Sequence, residues 1–314
     1  MVSEKMVAWG SQGCVIRDLA AYGEQRAAVV GAENVFNFTI GNPSVPAPSC
    51  VRQTIERLLQ TVPAEQLHAY TAAPGLASVR AKMAAYLEKT FGVGYRAEDV
   101  YMTSGASSAL AMLAYALLSP GDEVLTLSPY FSEYKLYAEA AGGTLTAVPS
   151  CPEDFQIDLD AFSAAISEKT AVVLLNSPNN PSGVILSRRS ITKLAELLEK
   201  KSAEYGRRIY IVADEPYREL AYDGEEVPFI PAIYKDTIYC YSFSKTLSLP
   251  GERIGFLAIH PELTDYARVR AAIYGAGRAL GYINASTMFQ LVAAECVGQT
   301  ADISVYKQNR DLIH

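Results

Sequence analysis

The residues best suited to chemistry in this sequence stand directly after short apolar runs. Small residues follow one run at 104–108, and an Asn- and Pro-rich segment follows another at 176–183. An acid and a phenol follow a third run at 214–217, and a lysine and an arginine follow a fourth, at 245 and 253. Backbone N–H groups at a Gly-Ser turn can bind an anion, and an amine can bind a carbonyl covalently.

Each of these groups also has an ordinary explanation when it is taken alone. A Gly-Ser turn before a helix is usually a cap, Asp214 can cap a helix, and a lysine after a strand is usually solvated. An acid at the end of an apolar strand is costly to bury unless it forms an ion pair with a cation or accepts a hydrogen bond. Together the groups match one ligand class, a phosphorylated pyridine aldehyde, which needs an amine for its aldehyde and an acid for its ring nitrogen.

The elements that must position these residues alternate between two hydrophobic periods. Apolar runs predict strands at 99–103, 123–128, 144–148, 171–175, 209–213, 237–242 and 254–259. Helical patterns are predicted at 49–61, 75–91, 106–118, 131–141, 159–166, 188–205 and in the tail at 286–314. The alternation predicts an α/β fold, a mostly parallel doubly wound sheet with helices on both faces. Such a sheet binds ligands at the carboxyl ends of its strands.

Length and composition exclude several classes of protein. The 314 residues are 50% hydrophobic and 19% charged with a net charge of −7, which excludes a disordered chain and disfavours nucleic-acid binding. The five cysteines are scattered and the three histidines lack a metal-binding spacing, so no disulfide scaffold and no metal site is expected. No apolar stretch long enough to span a membrane and no signal peptide is predicted, so the expected location is the cytoplasm.

Five motifs together resemble one enzyme family. SFSKTLSLPGERIG at 242–255 resembles the cofactor-lysine signature of class I/II aminotransferases of pyridoxal phosphate fold type I. NSPNNPSG at 176–183 is similar to their Asn-Pro loop, and DEPYREL at 214–220 to their Asp-x-x-Tyr segment. The segments at 70–87 and 38–48 are similar to the family's Tyr-to-Arg helix and substrate loop. The motifs occur in the family's order, over about 36–260.

The resemblance implies pyridoxal 5′-phosphate as the cofactor and a role for each matching residue. Lys245 is expected to form a Schiff base with the cofactor and then to move a proton, which needs a neutral amine. Asp214 is expected to keep the pyridine nitrogen protonated. Tyr217 and Asn180 are expected to bond the phenolic oxygen of the ring. Phe131 is expected to stack on the ring face, a role for which the neighbouring Tyr130 competes.

The remaining implied roles concern the phosphate, the substrate and a second subunit. Residues expected at the phosphate are Gly105, Ala106, Ser107, Ser242 and Arg253. Tyr70 is expected to reach the phosphate of a neighbouring subunit, which implies a homodimer with composite sites. Gly41 is expected to present its backbone to the substrate carboxylate, together with Asn180.

Three segments are predicted along the chain. Residues 1–48 form an N-terminal arm with the substrate loop, 49–280 the large cofactor-binding α/β domain, and 281–314 an interdomain helix with the start of a small domain. The family usually continues with a stretch that carries an arginine for the substrate's α-carboxylate, and Arg278 and Arg310 do not match it. The chain is therefore expected to be a fragment or a truncated product, with an incomplete small domain.

The reaction implied is a ping-pong transfer of an amino group between an α-amino acid and a 2-oxo acid. Aspartate, aromatic or alanine-type donors and 2-oxoglutarate are expected. A carbon–sulfur β-lyase on the same scaffold stays open as an alternative, because it shares the cofactor residues. A truncated protein that binds the cofactor without catalysis is a second alternative, favoured by the missing arginine.

Overall fold

The computed structural model describes residues 2–11, 15–39 and 41–313. The chain divides into two compact units, residues 1–44 and 45–314. The first unit contains α1 (Glu4–Ser11) and α2 (Val15–Val30). The finer division of the chain at residues 48 and 280 stays a prediction.

The second unit contains a mixed, mostly parallel sheet that has seven strands among the described residues. The strands are β1 (Val100–Thr103), β2 (Glu123–Ser128), β3 (Thr144–Pro149), β4 (Thr170–Asn176), β5 (Tyr210–Asp214), β6 (Thr237–Ser242) and β7 (Gly255–Ile259). Their order across the sheet is β1-β7-β6-β5-β4-β2-β3. β7 runs antiparallel to both of its neighbours, and the other pairs are parallel. The predicted fold class is confirmed.

Helices occupy both faces of this sheet. The helices of the second unit are α3 (Ser49–Thr61), α4 (Ala64–Leu67), α5 (Ala77–Phe91), α6 (Ala106–Leu117), α7 (Glu133–Ala140), α8 (Leu159–Ala165), α9 (Arg188–Tyr205), α10 (Phe243–Thr246), α11 (Tyr266–Leu280), α12 (Thr287–Cys296) and α13 (Ser304–Ile313). No helix in the described part of the chain combines the length and the apolar composition that a membrane crossing requires.

The sequence analysis misjudged two helix patterns. The helix predicted at 131–141 begins at Glu133, because residues 129–131 form the connection out of β2. The tail at 286–314 is not one continuous helical pattern but two helices, α12 and α13. Gly298, which lies between them, has a φ of +83°, a backbone conformation incompatible with a right-handed helix.

The core has two apolar layers because side chains alternate along each buried strand. In β5, Ile211 and Ala213 join the cluster beneath α3, α5, α8, α9 and α12. Val212 points the other way and joins the cluster beneath α6, α7 and α11. The same alternation determines on which face of the sheet the side chain of each residue at the end of a strand lies.

Candidate active site

The carboxyl end of β5 buries two adjacent acids in different surroundings. Asp214 is 5% exposed, and its Oδ2 accepts a hydrogen bond of 2.6 Å from the Tyr134 phenol. Its Oδ1 is buried without a hydrogen-bond partner, and no lysine, arginine or histidine of the described residues forms an ion pair with it. Burial raises the pKa of Asp214 to about 6, and the bond from Tyr134 opposes that rise.

Glu215, the next residue, is fully buried but has a cationic partner. Its Oε2 lies 2.5 Å from the Arg218 guanidinium, which also donates to the carbonyls of Val227 and Pro228. The guanidinium carbon lies 4.8 Å from the centre of the Phe91 ring. Burial raises the pKa of Glu215 to about 7, and Arg218 opposes that rise. Its Oε1 is buried without a hydrogen-bond partner, so Glu215 differs from Asp214 in having a cation beside it and not in having both oxygens bonded.

The loop after β4 joins the end of β5 through amide groups. Asn176 lies opposite Asp214 in the parallel register, and its Nδ2 donates to the Asp214 carbonyl at 2.7 Å. The Asn176 Oδ1 accepts from the backbone N–H of Asn180 at 2.6 Å. The Asn180 Nδ2 in turn donates to the Tyr217 hydroxyl at 3.3 Å. The structure therefore brings Asn180 and Tyr217 together, and their predicted role at the ring oxygen of the cofactor stays a prediction.

Lys245 lies in α10, directly after the neighbouring strand β6. Ser242 begins this short helix, and its Oγ accepts a hydrogen bond from the Ser244 backbone N–H at 3.2 Å. Lys245 is half-buried, and burial lowers the pKa of its amine. A lowered pKa increases the share of neutral amine near pH 7, which is the form that attacks a carbonyl or accepts a proton.

The residues predicted to bind the phosphate lie where α6 begins. Gly105 precedes the helix with a φ of +82°, and a Cβ there would lie 2.7 Å from a guanidinium nitrogen of Arg253. The side chains of Thr103 and Ser108 both donate to the Gly105 carbonyl, at 3.0 and 2.9 Å, and hold the turn in place. Arg253 is exposed and has no carboxylate partner among the described residues. Backbone N–H groups, the helix dipole and a cation thus converge.

Ala106 and Ser107 open α6 beside this glycine, and Ser242 ends β6 opposite Gly255 of β7. Gly255 also pairs with Thr103 at the end of β1. A Cβ on Gly255 would come within 3.1 Å of the Gly105 backbone, so the glycine lets the two segments approach. Strand pairing therefore gathers the predicted phosphate residues at one edge of the sheet.

Two other predicted residues are placed differently. The Tyr70 side chain is 94% exposed, although Thr287 and Asn284 donate hydrogen bonds to the carbonyls of Ala69 and Thr71 on either side of it. The chain around Tyr70 is thus held while the ring itself is open to solvent. Gly41 belongs to the first compact unit, and its role at the substrate stays a prediction.

Tyr134 is the site residue that the sequence analysis missed. Besides bonding Asp214, its ring meets the edge of Phe131 at 5.6 Å and lies nearly parallel to Tyr130 at 6.4 Å between ring centres. The signal in the sequence was weak: Tyr134 follows Phe131 by three residues, which is one helical turn. Its bond to Asp214 spans 80 residues of sequence, so no local pattern reveals it.

These groups fit pyridoxal phosphate. The unpartnered Oδ1 of Asp214 suits a protonated ring nitrogen, because that N–H would supply both the missing hydrogen bond and the missing positive charge. The turn at Gly105 with Arg253 suits the phosphate, and the amine of Lys245 suits the aldehyde. The arrangement defines a candidate cofactor site at the carboxyl edge of the sheet, where open α/β sheets bind ligands.

Comparison with known proteins identifies the family. The family model for class I and II aminotransferases matches residues 33–314, and the chain belongs to that family. The family generally depends on pyridoxal phosphate. An aspartate aminotransferase of Thermotoga maritima is 33% identical over 235 residues, which are 74% of this chain and 60% of that protein. An aspartate aminotransferase of Sulfurisphaera tokodaii is 27% identical over 97% of this chain and 73% of its own length.

Solved structures share the fold. An aminotransferase of Eubacterium rectale superposes with a TM-score of 0.97 at 50% identity, over 99% of this chain and 79% of that one. The aspartate aminotransferase of Thermus thermophilus with maleate gives a TM-score of 0.80 at 26% identity, over 94% and 72%. The chain spans about 60% of the length of the first curated relatives it matches.

Proposed function

We propose that this protein binds pyridoxal 5′-phosphate and transfers amino groups between an α-amino acid and a 2-oxo acid. The observation that carries the proposal is the state of Asp214. It is a buried carboxylate with one unpartnered oxygen and no neutralising cation among the described residues. It lies on the strand next to the one that leads to Lys245. A buried acid of this kind favours a ligand that brings a proton and a positive charge.

The cofactor, when bound, supplies an aldehyde that condenses with amines and a pyridinium ring that draws electrons from the substrate's α-carbon. Asp214 would hold the ring proton through Oδ1 while Tyr134 occupies Oδ2. Tyr217 and Asn180, already hydrogen-bonded to each other, would share the ring hydroxyl. Phe131 would cover one face of the ring.

Lys245 would hold the cofactor covalently until a substrate amine replaces it. Its freed Nζ would then accept the α-carbon proton of the substrate and return it in the next step. Both tasks need a neutral amine, and partial burial lowers the pKa of Lys245 in that direction. Arg253, Ser242 and residues 105–107 would bind the phosphate by charge-assisted hydrogen bonds.

Tyr70 supports a homodimer with shared sites. An aromatic ring that is 94% exposed, on backbone fixed from both sides by Asn284 and Thr287, is arranged to contact another molecule. We assign this ring to the phosphate site of a second copy. Asn180 would bind the substrate carboxylate.

The substrates follow from the relatives, several of which are aspartate aminotransferases. Aspartate with 2-oxoglutarate is the first pair to test, followed by aromatic amino acids and alanine. The test incubates the protein with cofactor, 2-oxoglutarate and each donor in turn, and measures glutamate. Glutamate formation with parallel initial-rate lines supports a ping-pong transfer. Pyruvate with ammonia would instead show a lyase, and a cofactor absorption band that no amino acid changes would show binding without catalysis.

A further inference from the structure

Thr246, the residue after Lys245, joins three other segments of the chain through hydrogen bonds. Its side chain is buried, and its Oγ1 lies 2.8 Å from Glu219 Oε2 and 2.7 Å from the Tyr241 hydroxyl. Its carbonyl accepts a hydrogen bond of 2.7 Å from the backbone N–H of Ala301. These partners lie in the turn after β5, in β6 itself, and in the connection between α12 and α13.

The carboxylate of Glu219 determines the direction of the two side-chain bonds. An ionised carboxylate can only accept a hydrogen bond, so the Thr246 hydroxyl donates its single hydrogen to Glu219. The phenol of Tyr241, which is also buried, must then donate to Thr246 Oγ1. Only a hydroxyl at position 246 can accept the first bond and donate the second. A valine there, with nearly the same shape, would remove both bonds.

The helix that carries Lys245 depends on such external contacts. α10 has only four residues, too few for a helix to be stable through its own hydrogen bonds. Ser242 caps its first turn, and the bonds of Thr246 hold its last residue. Consecutive side chains on a helix diverge by about 100°, so Thr246 and Lys245 face different directions. Anchoring Thr246 on one side therefore fixes the direction in which Lys245 leaves the helix.

The segment that carries Glu219 is itself held in place. Glu219 follows Arg218, whose guanidinium forms the buried ion pair with Glu215. The turn that contains both residues begins directly after Tyr217. The bond from Thr246 to Glu219 spans 27 residues of sequence. It therefore links α10 to the segment that supplies the acid and the phenol of the proposed cofactor site.

We propose that Thr246 and Glu219 are positioning residues that fix the direction of the Lys245 side chain toward the cofactor. The hydrogen bond between them sets the position of the lysine helix relative to the segment of Asp214 and Tyr217. This inference rests on the proposed function, and it assigns a role to two residues that would not contact the cofactor themselves.

The test compares two ligands that differ only in the group that meets Lys245. Pyridoxal 5′-phosphate has an aldehyde, which condenses with an amine and releases water, whereas pyridoxamine 5′-phosphate has an amine there and cannot. Cofactor-free protein is mixed with the aldehyde, samples are reduced with borohydride over time, and the mass of the peptide that contains residue 245 reports attachment. Calorimetry measures the affinity for the amine. We expect Thr246→Val to slow attachment about tenfold or more, and to leave the affinity for pyridoxamine phosphate unchanged.

Two further variants sharpen this comparison. Glu219→Gln keeps an oxygen that can accept from Thr246, so it should slow attachment less than Glu219→Ala. Thr237→Val is the matched control: Thr237 is also buried and also loses a hydrogen bond, to the Tyr234 carbonyl, but it lies at the opposite end of β6. It should keep the original attachment rate. Circular dichroism of each variant shows that it is folded.

The double variant checks that both residues act through one contact. Glu219→Ala added to Thr246→Val should slow attachment no further, because the bond between them is already lost. The inference is overturned if Thr246→Val attaches pyridoxal phosphate at the original rate, or if it weakens pyridoxamine phosphate as strongly as it slows attachment. If the unmodified protein binds neither ligand, the proposed function itself fails.

Discussion

The two acids at the end of β5 and the arginines Arg218 and Arg253 form contrasting pairs. Glu215 and Arg218 are both buried and neutralise each other, 2.5 Å apart. Asp214 and Arg253 have no ion-pair partner among the described residues. The first pair is compensated in charge within the fold, although Glu215 Oε1 has no hydrogen-bond partner. The second leaves a negative and a positive group for a ligand of the opposite charges, such as a pyridinium ring with a phosphate.

This contrast arises from the alternation of side chains along a strand. Adjacent residues at a strand end point to opposite faces, so an Asp-Glu sequence divides one acid to each side. One face offers Glu215 an arginine within a cluster of aromatic rings, and the other offers Asp214 a neutral phenol. Burial alone therefore does not mark a functional acid; the lack of a cationic partner does.

The largest expected effect on activity comes from removing the amine of Lys245, which would bind the cofactor. Lys245→Ala should lower amino-group transfer by roughly 10³-fold or more, because the general base is lost. Borohydride reduction followed by intact-mass measurement should attach the cofactor to the original chain and not to the variant. Lys193→Ala, in α9, is the control and should keep both properties. A variant that still acquires the reduced cofactor would remove Lys245 from the proposal.

The buried ion pair of Glu215 and Arg218 can be tested by removing one of its two charges. Glu215→Ala leaves the buried Arg218 charge without its partner and should lower the free energy of unfolding by about 3–5 kcal/mol. Glu204→Ala, at an exposed ion pair of α9, should change it by no more than about 1 kcal/mol. Chemical denaturation measures both. Replacing Glu215 and Arg218 together by Leu and Met should recover part of the loss, and a Glu215→Ala protein of undiminished stability would contradict the contrast.

The uncompensated acid should make the cofactor-free protein sensitive to pH. Burial raises the pKa of Asp214 from 3.8 to about 6, so the fold prefers its protonated form. The resulting stability is present below the unfolded value and is lost as the pH rises through about 6. Relative to Asp214→Asn, the original protein should lose about 2 kcal/mol between pH 4 and pH 7.

Denaturation of the two proteins at each pH measures this difference. Glu215, whose pKa is raised mainly by burial, is common to both proteins, so most of its contribution cancels; the charge of Asp214 is the smallest cause of that rise. Bound cofactor should diminish the difference, because a pyridinium N–H stabilises the ionised carboxylate. If the free energy of unfolding changed with pH in the same way for the two cofactor-free proteins, the pKa of Asp214 would not be raised by folding.

The smallest effect is expected at the exposed arginine. Arg253→Lys keeps the charge but loses the planar pair of donors, and should weaken binding of pyridoxal phosphate by about 1 kcal/mol, or about fivefold. Arg268→Lys, an exposed change on α11, should have no effect. Both are measured by titration of the cofactor-free protein. Equal affinities for the original protein and Arg253→Lys would show that Arg253 does not contact the phosphate.

Much of the fold and of the site could be predicted because both depend on local patterns. Buried parallel strands are near-continuous apolar runs, and their ends carry the polar residues, so the predicted strands match to within a residue or two at each end. The break in the tail near Gly298 was not predicted, because a helical pattern does not show where the backbone turns. Tyr134 was missed because its partner is distant in sequence.

The sequence by itself determined the order of strands and helices, the family, and the set of polar residues that a parallel sheet must gather at its carboxyl edge. Tertiary structure alone decided which of the two adjacent acids forms an ion pair with an arginine and which tyrosine donates a hydrogen bond to Asp214. It also decided that the Arg253 guanidinium lies beside Gly105. The physical reason is that charge compensation is a property of the space around a group, filled by residues from anywhere in the chain, whereas the periodicity that forms an element is a property of neighbours.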